Sequence, residues 1–385
     1  MTDTFDDCID RRSTESVKWR LFDPDVLPMW VADMDFRAPQ PVIDALQARV
    51  AHGVFGYPME PADLTELLVE RLQRLYGWTV QPDEIVYLPG VVTGFNLMGH
   101  AFVGAGGGVL MQTPVYHPFF GVAPNVRGSQ QESELVQQPD GRYAIDWDNF
   151  EAAIAEQTKM FLLCNPHNPV GRVFRQDELE RMAEICLRRG LIICSDEIHA
   201  DFIYNDHRHI PIASLSPEIA SRTVTLMAPS KTFNIAGLEC SFAVIQNKEL
   251  RKQMEAARMG LVPHVNVLGA VAATAAYRGG QPWLDELLAY LWGNVETMAA
   301  FVERELPGVR MRKPEGTYLA WLDCRETGLT GDLCQFFIKN GRVAFNNGAM
   351  FGKGGQGFVR LNFGCPRSTL VDGLQRMKTA LEKAG

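Results

Sequence analysis

The stretch Thr223-Val224-Thr225-Leu226-Met227-Ala228-Pro229-Ser230-Lys231-Thr232-Phe233-Asn234 joins an apolar run to a lysine. Thr223–Met227 reads as a buried strand, so Lys231 is expected at a strand's end with little solvated surface behind it. An amine so placed loses hydration. That disfavours its charged form and frees the lone pair for Schiff-base chemistry. A second charge, Asp196, ends a second apolar run, Leu191-Ile192-Ile193-Cys194-Ser195-Asp196. A lone lysine would carry little; the pair carries the reading.

Outward from these two runs the chain alternates. Strands are expected at Glu84 to Leu88, Gly108 to Gln112, Met160 to Cys164, Leu191 to Ser195, Thr223 to Met227 and Ser241 to Ile245. A helix opening with glycine is expected from Gly90 to Phe102. Another, from Asp177 to Arg189, carries apolar Leu179, Met182, Ala183 and Ile185, with Gly190 as its C-cap. Apolar strands alternating with helices predict an α/β fold, a largely parallel sheet covered on both faces. The C-terminal part differs. A long helical pattern from Trp283 to Leu306 is followed by shorter strands, Tyr318 to Leu322 and Phe358 to Phe363, and by helices at Gly331 to Asn340 and Ser368 to Lys383. It reads as a smaller α+β domain. The expected division is 1–45, an N-terminal segment draped over the larger domain and associated with the smaller one; 46–280, the large domain; and 281–385, the small one.

At 385 residues, with 46% apolar and 22% charged composition, the chain can bury a large core. Its formal charge of -9 and the lack of a basic block argue against nucleic-acid or anionic-membrane partners. From Ile85 to Val126 no Asp, Glu, Lys or Arg occurs, but Pro89, Pro114, Pro118, Pro124 and many glycines interrupt the stretch. It is expected to be buried rather than membrane-spanning. None of the eight cysteines forms a CxxC pair, and Met1 to Asp7 is acidic without an apolar core. A cytoplasmic location is expected.

Several loops could carry chemistry. Gly90-Val91-Val92-Thr93-Gly94 opens a helix after a strand, where bare amides can hold an anion. Tyr116, in Thr113-Pro114-Val115-Tyr116-His117-Pro118, could stack on a heterocycle. In Asn165-Pro166-His167-Asn168-Pro169, two Asn-Pro pairs predict a turn-rich loop able to aim an amide at a ligand oxygen. Arg360, inside the alternating run Phe358 to Phe363, could grip a carboxylate with its guanidinium fork. His207-x-His209 has no third ligand at suitable spacing, so no metal is expected. Gly352-Lys353-Gly354-Gly355-Gln356-Gly357 satisfies GxGxxG, but it precedes a strand instead of opening a helix, so no dinucleotide site is expected. A lysine for an aldehyde and an aspartate for a pyridinium nitrogen are the groups pyridoxal 5'-phosphate (PLP) most needs.

Taken together, and in their order along the chain, these motifs resemble fold-type I PLP enzymes, the aspartate aminotransferase superfamily. Leu27-Pro28-Met29-Trp30-Val31-Ala32-Asp33-Met34-Asp35-Phe36, Ser195-Asp196-Glu197-Ile198-His199-Ala200-Asp201 and Ser230 to Leu238 look like its MalY/PatB branch of cystathionine β-lyases and related C–S lyases. The resemblance implies that Lys231 forms the covalent link to PLP and acts as the catalytic base. Asp196 would pair with the pyridine nitrogen, Asn168 would bond the ring hydroxyl and Tyr116 would stack on the ring. Ser230 and the amides near Val91 and Val92 would hold the phosphate. Tyr57 would reach the phosphate of a neighbouring subunit, implying a homodimer with a shared site. Arg360 would bind the substrate carboxylate, with Trp30 near the substrate. Two departures stand out. Glu239 occupies the position, eight residues after the lysine, where many members carry a phosphate-binding arginine. His199 replaces a tyrosine and is counted with the cofactor contacts. The implied activity is β-elimination from a sulfur amino acid. An aminotransferase is the alternative, and a regulatory binding protein, as some relatives in this branch are, is the second.

Overall fold

The computed structural model describes residues 5–383. Its strands, in chain order, are β1 (Leu27–Pro28), β2 (Ile85–Leu88), β3 (Gly108–Thr113), β4 (Ser129–Gln137), β5 (Tyr143–Ile145), β6 (Thr158–Cys164) and β7 (Ile192–Asp196). They continue with β8 (Thr223–Met227), β9 (Ser241–Val244), β10 (Arg310–Met311), β11 (Leu319–Asp323), β12 (Val343–Ala344), β13 (Asn346–Asn347) and β14 (Phe358–Asn362). Eight of them form one sheet in the order β2-β9-β8-β7-β6-β3-β4-β5. Strands β8, β7, β6, β3 and β4 run parallel; β9 is antiparallel to both β8 and β2, and β5 is antiparallel to β4. The predicted α/β class with a mostly parallel sheet is therefore what the chain forms.

The central strands are buried along their whole length, as expected of strands covered on both faces. In β8, Val224 and Leu226 face the same apolar cluster as Phe95 of helix Val91–Met98. That helix lies close to the sheet because position 94 is glycine: a Cβ there would stand 3.0 Å from Leu226 Cδ2 and 3.2 Å from Leu88 Cδ1. The other face is covered partly by helix Gln176–Arg188, through Leu179, Met182 and Ile185.

A second, antiparallel sheet has the order β10-β11-β14-β13. Its core joins helices Gln281–Glu305 and Arg367–Glu382. The N-terminal segment meets this part of the molecule directly, since β1 pairs in parallel with β12. Behind it lies a buried charge cluster. Lys18 donates to Asp35 at 2.7 Å, and Asp35 also accepts from Arg11 and from the Trp19 indole, each at 2.8 Å. A carboxylate with three donors is well compensated for its burial.

The assigned helices and strands are present, with ends shifted by a few residues. The helix expected over 90–102 is α-helical only for Val91–Met98 and closes with a π-turn over Gly99–Val103. Strand β4 and helices Gln40–His52, Ala62–Tyr76, Lys248–Arg258 and Val267–Gly279 lie where the sequence pattern predicts no element. The glycine-rich run 352–357 makes turns leading into β14, and Gly352 packs against Phe120. Among the described residues no helix is long and apolar enough to cross a membrane.

Candidate active site

All the parallel strands of the large sheet end along one edge, where ligands of such sheets characteristically bind. The strand ends are tied together. Asn165 N–H donates to the Asp196 carbonyl at 3.0 Å, and Glu197 N–H to the Leu226 carbonyl at 2.9 Å. This register brings five segments to one cavity of about 420 Å³. Tyr116 comes from the loop after β3, Asn168 from the loop after β6, Asp196 and His199 from the end of β7, and Ser230 and Lys231 from the helical turn after β8. Val91 and Val92 start the helix after β2. All eight line the cavity.

Lys231 Nζ donates to the Ala32 carbonyl at 2.5 Å, and the Tyr318 hydroxyl reaches the same oxygen at 2.8 Å. Burial pushes the Lys231 amine down to about 8; Asp33 and Asp196 oppose this, and Arg360 adds to it. Asn234 anchors the turn. Its Nδ2 donates to the Met34 and Phe36 carbonyls at 2.9 and 2.8 Å, and its Oδ1 accepts from Met34 N–H at 2.9 Å. These bonds tie the N-terminal segment to the lysine turn.

Asp196 is buried, and one carboxylate oxygen accepts the Ile198 N–H at 3.1 Å. Burial pushes its carboxyl up to about 7, although Ile198 N–H and the Lys231 charge pull it down. Such a carboxylate gains from a cationic N–H partner. His199 is also buried; desolvation, then the Lys231 and Arg360 charges, push it down to about 3, so it is a neutral imidazole at physiological pH. Its Nδ1 has no partner among the described residues.

Arg360 stands in β14, register-paired with Trp321 on one side and Asn346 on the other. It is buried, not the exposed strand arginine its neighbours in sequence also allow. Its guanidinium donates to Asn168 Oδ1 at 2.9 Å, which joins the small sheet to the large-sheet edge. The ring of Phe351 lies 4.9 Å beneath it. Trp30 meets Arg360 through its carbonyl, 2.9 Å from Nη2, while its indole donates to the Lys18 carbonyl at 3.2 Å. Trp30 and Arg360 adjoin the cavity through these bonds and are not among its lining residues. Tyr57 lies apart, fully exposed within residues 53–61, which contain no helix or strand.

The residues present fit PLP. The helix starting at Val91 has no side-chain cap, and its first amides have no intrahelical partner, which suits a phosphate. Among the described residues Asp196 has no ion-pair partner and His199 Nδ1 no hydrogen-bond partner, and Lys231 lines the same cavity. Glu239 is the one discordant group: it lines the same cavity as Val91, Val92 and Ser230, in a left-handed conformation with φ 50°. His209, of the His207-x-His209 pair, bonds Glu197 at 2.7 Å.

Four residues at the site escaped sequence reasoning: Asn346, Asn362, Tyr318 and Phe351. Asn362 Nδ2 donates to the Val31 and Asp33 carbonyls at 2.6 and 2.7 Å. It stands two positions after Arg360, so strand alternation placed both on one face and could have signalled it. Nothing local marks the other three.

Fold and site together define a PLP-type enzyme architecture, and the chain belongs to the aminotransferase class I and II family, whose model matches residues 24–377. Among curated relatives it is 43% identical to the cystathionine beta-lyase PatB of Bacillus subtilis, across 98% of this chain and 99% of PatB. Among solved structures it resembles cystalysin of Treponema denticola, which contains PLP, with a TM-score of 0.96 and 32% identity over all of both chains. It also resembles the PLP-bound C–S lyase of Staphylococcus hominis, with a TM-score of 0.92 and 34% identity over 98% of each chain.

Proposed function

We propose that this chain is a PLP-dependent carbon–sulfur β-lyase that cleaves cystathionine or a related cysteine S-conjugate to a thiol, pyruvate and ammonia. The observation that carries this is a lysine amine and a buried aspartate in one cavity, in a chain whose full-length relatives include C–S lyases.

PLP, when bound through Lys231, supplies the electron sink for the pair left when the substrate's Cα–H bond breaks. The chain's own residues do the rest. Asp196 would hold a proton on the pyridine nitrogen. Asn168 would bond the ring hydroxyl, Tyr116 would stack on the ring and His199 would lie among the cofactor contacts. Ser230 and the amides of Val91 and Val92 hold the phosphate. Arg360 orients the substrate through its carboxylate. Lys231 Nζ, once not bonded to the cofactor, would accept the Cα proton. The Cβ–S bond then breaks, and sulfur departs with the bonding pair as thiolate. The released 2-aminoacrylate takes up water to give pyruvate and ammonia.

The family description supports a second reading, aminotransfer, in which Lys231 returns the proton to the cofactor. Cystathionine or an S-alkyl cysteine supplied without any keto acid separates the two. Sustained pyruvate and thiol are expected; one turnover that then stalls would sink the lyase reading. Lys231→Ala checks the anchor: the bound cofactor's visible absorbance band and turnover should both vanish, and their persistence would refute the assignment.

The reading includes a homodimer with a shared site, in which Tyr57 reaches the neighbouring subunit's phosphate. Exposed Val54, Phe55, Tyr57 and Met59 on one short stretch support it. Light scattering that finds only monomers in the active preparation would overturn it. We divide the chain at 45 and 280, with 1–45 joined to the small C-terminal domain; the β1–β12 pairing supports this, although helix Gln40–His52 runs across the first boundary. A cytoplasmic location suits eight free cysteines, six of them buried. A regulatory protein partner would act in addition to this chemistry, and a pulldown recovering only the chain itself would remove it.

A further inference from the structure

A guanidinium has five N–H donors, and the ones Arg360 uses leave an uneven remainder. Nη2 donates to the Trp30 carbonyl at 2.9 Å and to Asn346 Oδ1 at 2.6 Å. Nη1 donates to Asn168 Oδ1 at 2.9 Å. Nε is buried with no partner among the described residues. A carboxylate is gripped in two-pronged fashion along either the Nη1–Nη2 edge or the Nε–Nη2 edge. Both edges include Nη2, and both Nη2 hydrogens are engaged. A carboxylate can therefore be held by two prongs only after one acceptor leaves.

The two acceptors are anchored differently. Asn346 sits in β13, in ladder register with Arg360. Trp30 lies just beyond β1, outside any helix or strand. The carbonyls that follow it are held by side chains: Val31 and Asp33 by Asn362, and Ala32 by Lys231 and Tyr318. We infer that the substrate's α-carboxylate takes the place of the Trp30 carbonyl on Arg360, while Asn346 and Asn168 stay as pins that aim the guanidinium. Asn346 is then a positioning residue for substrate recognition. The inference rests on the reading of Arg360 as the carboxylate-binding residue.

The exchange favours a true carboxylate. One neutral acceptor leaves, and two charged oxygens arrive. A carboxamide of the same shape offers one acceptor oxygen and no charge, so it cannot drive the displacement. The Ala32 carbonyl, which accepts from the Lys231 amine, lies two peptide units further along the same short segment.

The test uses the holoenzyme with β-(methylsulfanyl)propanoate, a thioether acid without the amino group, and its neutral carboxamide. Hydrogen exchange is followed in the peptide covering residues 29–35. The saturating acid should raise exchange there by about threefold or more, and the carboxamide should leave it unchanged. Arg360→Lys, which keeps charge but loses the fork, should weaken acid binding by about tenfold or more. Acid that binds in an Arg360-dependent way yet leaves exchange unchanged, or lowers it, overturns the displacement alone. Acid that binds wild type and Arg360→Lys equally overturns the reading of Arg360 as well.

Discussion

Replacing Lys231 with methionine should make the cofactor-free protein more stable, and the gain should depend on pH. The amine's pKa falls from 10.5 to about 8, chiefly because burial strips its hydration. The unfolded chain therefore binds more protons than the folded one between pH 8 and 10.5, so stability rises with pH across that window. Below pH 8 the folded protein carries the full penalty of a buried ammonium, roughly 3 kcal/mol from the spacing of the two values. Lys231 keeps part of its surface open to the cavity, so solvent reduces this to about 1–3 kcal/mol. Methionine matches the stem in length and has nothing to ionise, and Ala32's carbonyl keeps the Tyr318 hydroxyl. Urea unfolding of both cofactor-free proteins at pH 7 should show Lys231→Met ahead by about 1–3 kcal/mol, and at pH 10 the gap should narrow. A methionine variant that is weaker at pH 7, or a gap constant with pH, would refute the argument that the cavity disfavours the charged amine.

Three further outcomes follow from the geometry. Lys18→Met breaks a buried ion pair, and because Asp35 keeps Arg11 and Trp19, the loss in urea stability should be about 3 kcal/mol, the low end for such pairs; an unchanged midpoint would mean that Lys18 contributes nothing net. Gly94→Val should cost about 2 kcal/mol in thermal unfolding by overpacking against Leu226 and Leu88, and wild-type stability would refute the close approach of that helix. Glu239→Arg should slow loss of PLP during dialysis by about fivefold, a gain of about 1 kcal/mol, and faster loss would show that Glu239 does not face the phosphate.

The large-sheet side of the site was legible because each of its residues follows an apolar run. A strand's end beside a charged or turn-forming residue is a local signal, and Asp196, Lys231, Asn168 and Tyr116 all carry it. Strand β4 carries no such signal. It reads Ser129-Gln130-Gln131-Glu132-Ser133-Glu134-Leu135-Val136-Gln137, and only Ser133 and Leu135 are buried. Its place is decided by pairing with β3 and β5, which sequence alone does not express. Helix Ala62–Tyr76 is a different failure: Leu64, Leu68 and Leu72 do keep helical spacing, so the pattern was there to be read.

The small-sheet side was least legible, for a physical reason. Arg360 is separated from Asn168 by 192 positions and from Trp30 by 330, and its role is set by which of its hydrogens those partners occupy. A residue type and a strand pattern can suggest that an arginine binds a carboxylate; they cannot say that both of its two-pronged edges are blocked by Nη2's existing partners. The N-terminal segment then acquires a meaning its irregular sequence hides. Four successive carbonyls, Trp30 to Asp33, are received by Arg360, Asn362 and Lys231. A segment with regular hydrogen bonding would have no carbonyls left to offer these side chains. Its lack of helix or strand is therefore what lets one short stretch contact both Arg360 and Lys231, the residues proposed to bind the substrate carboxylate and to take its proton.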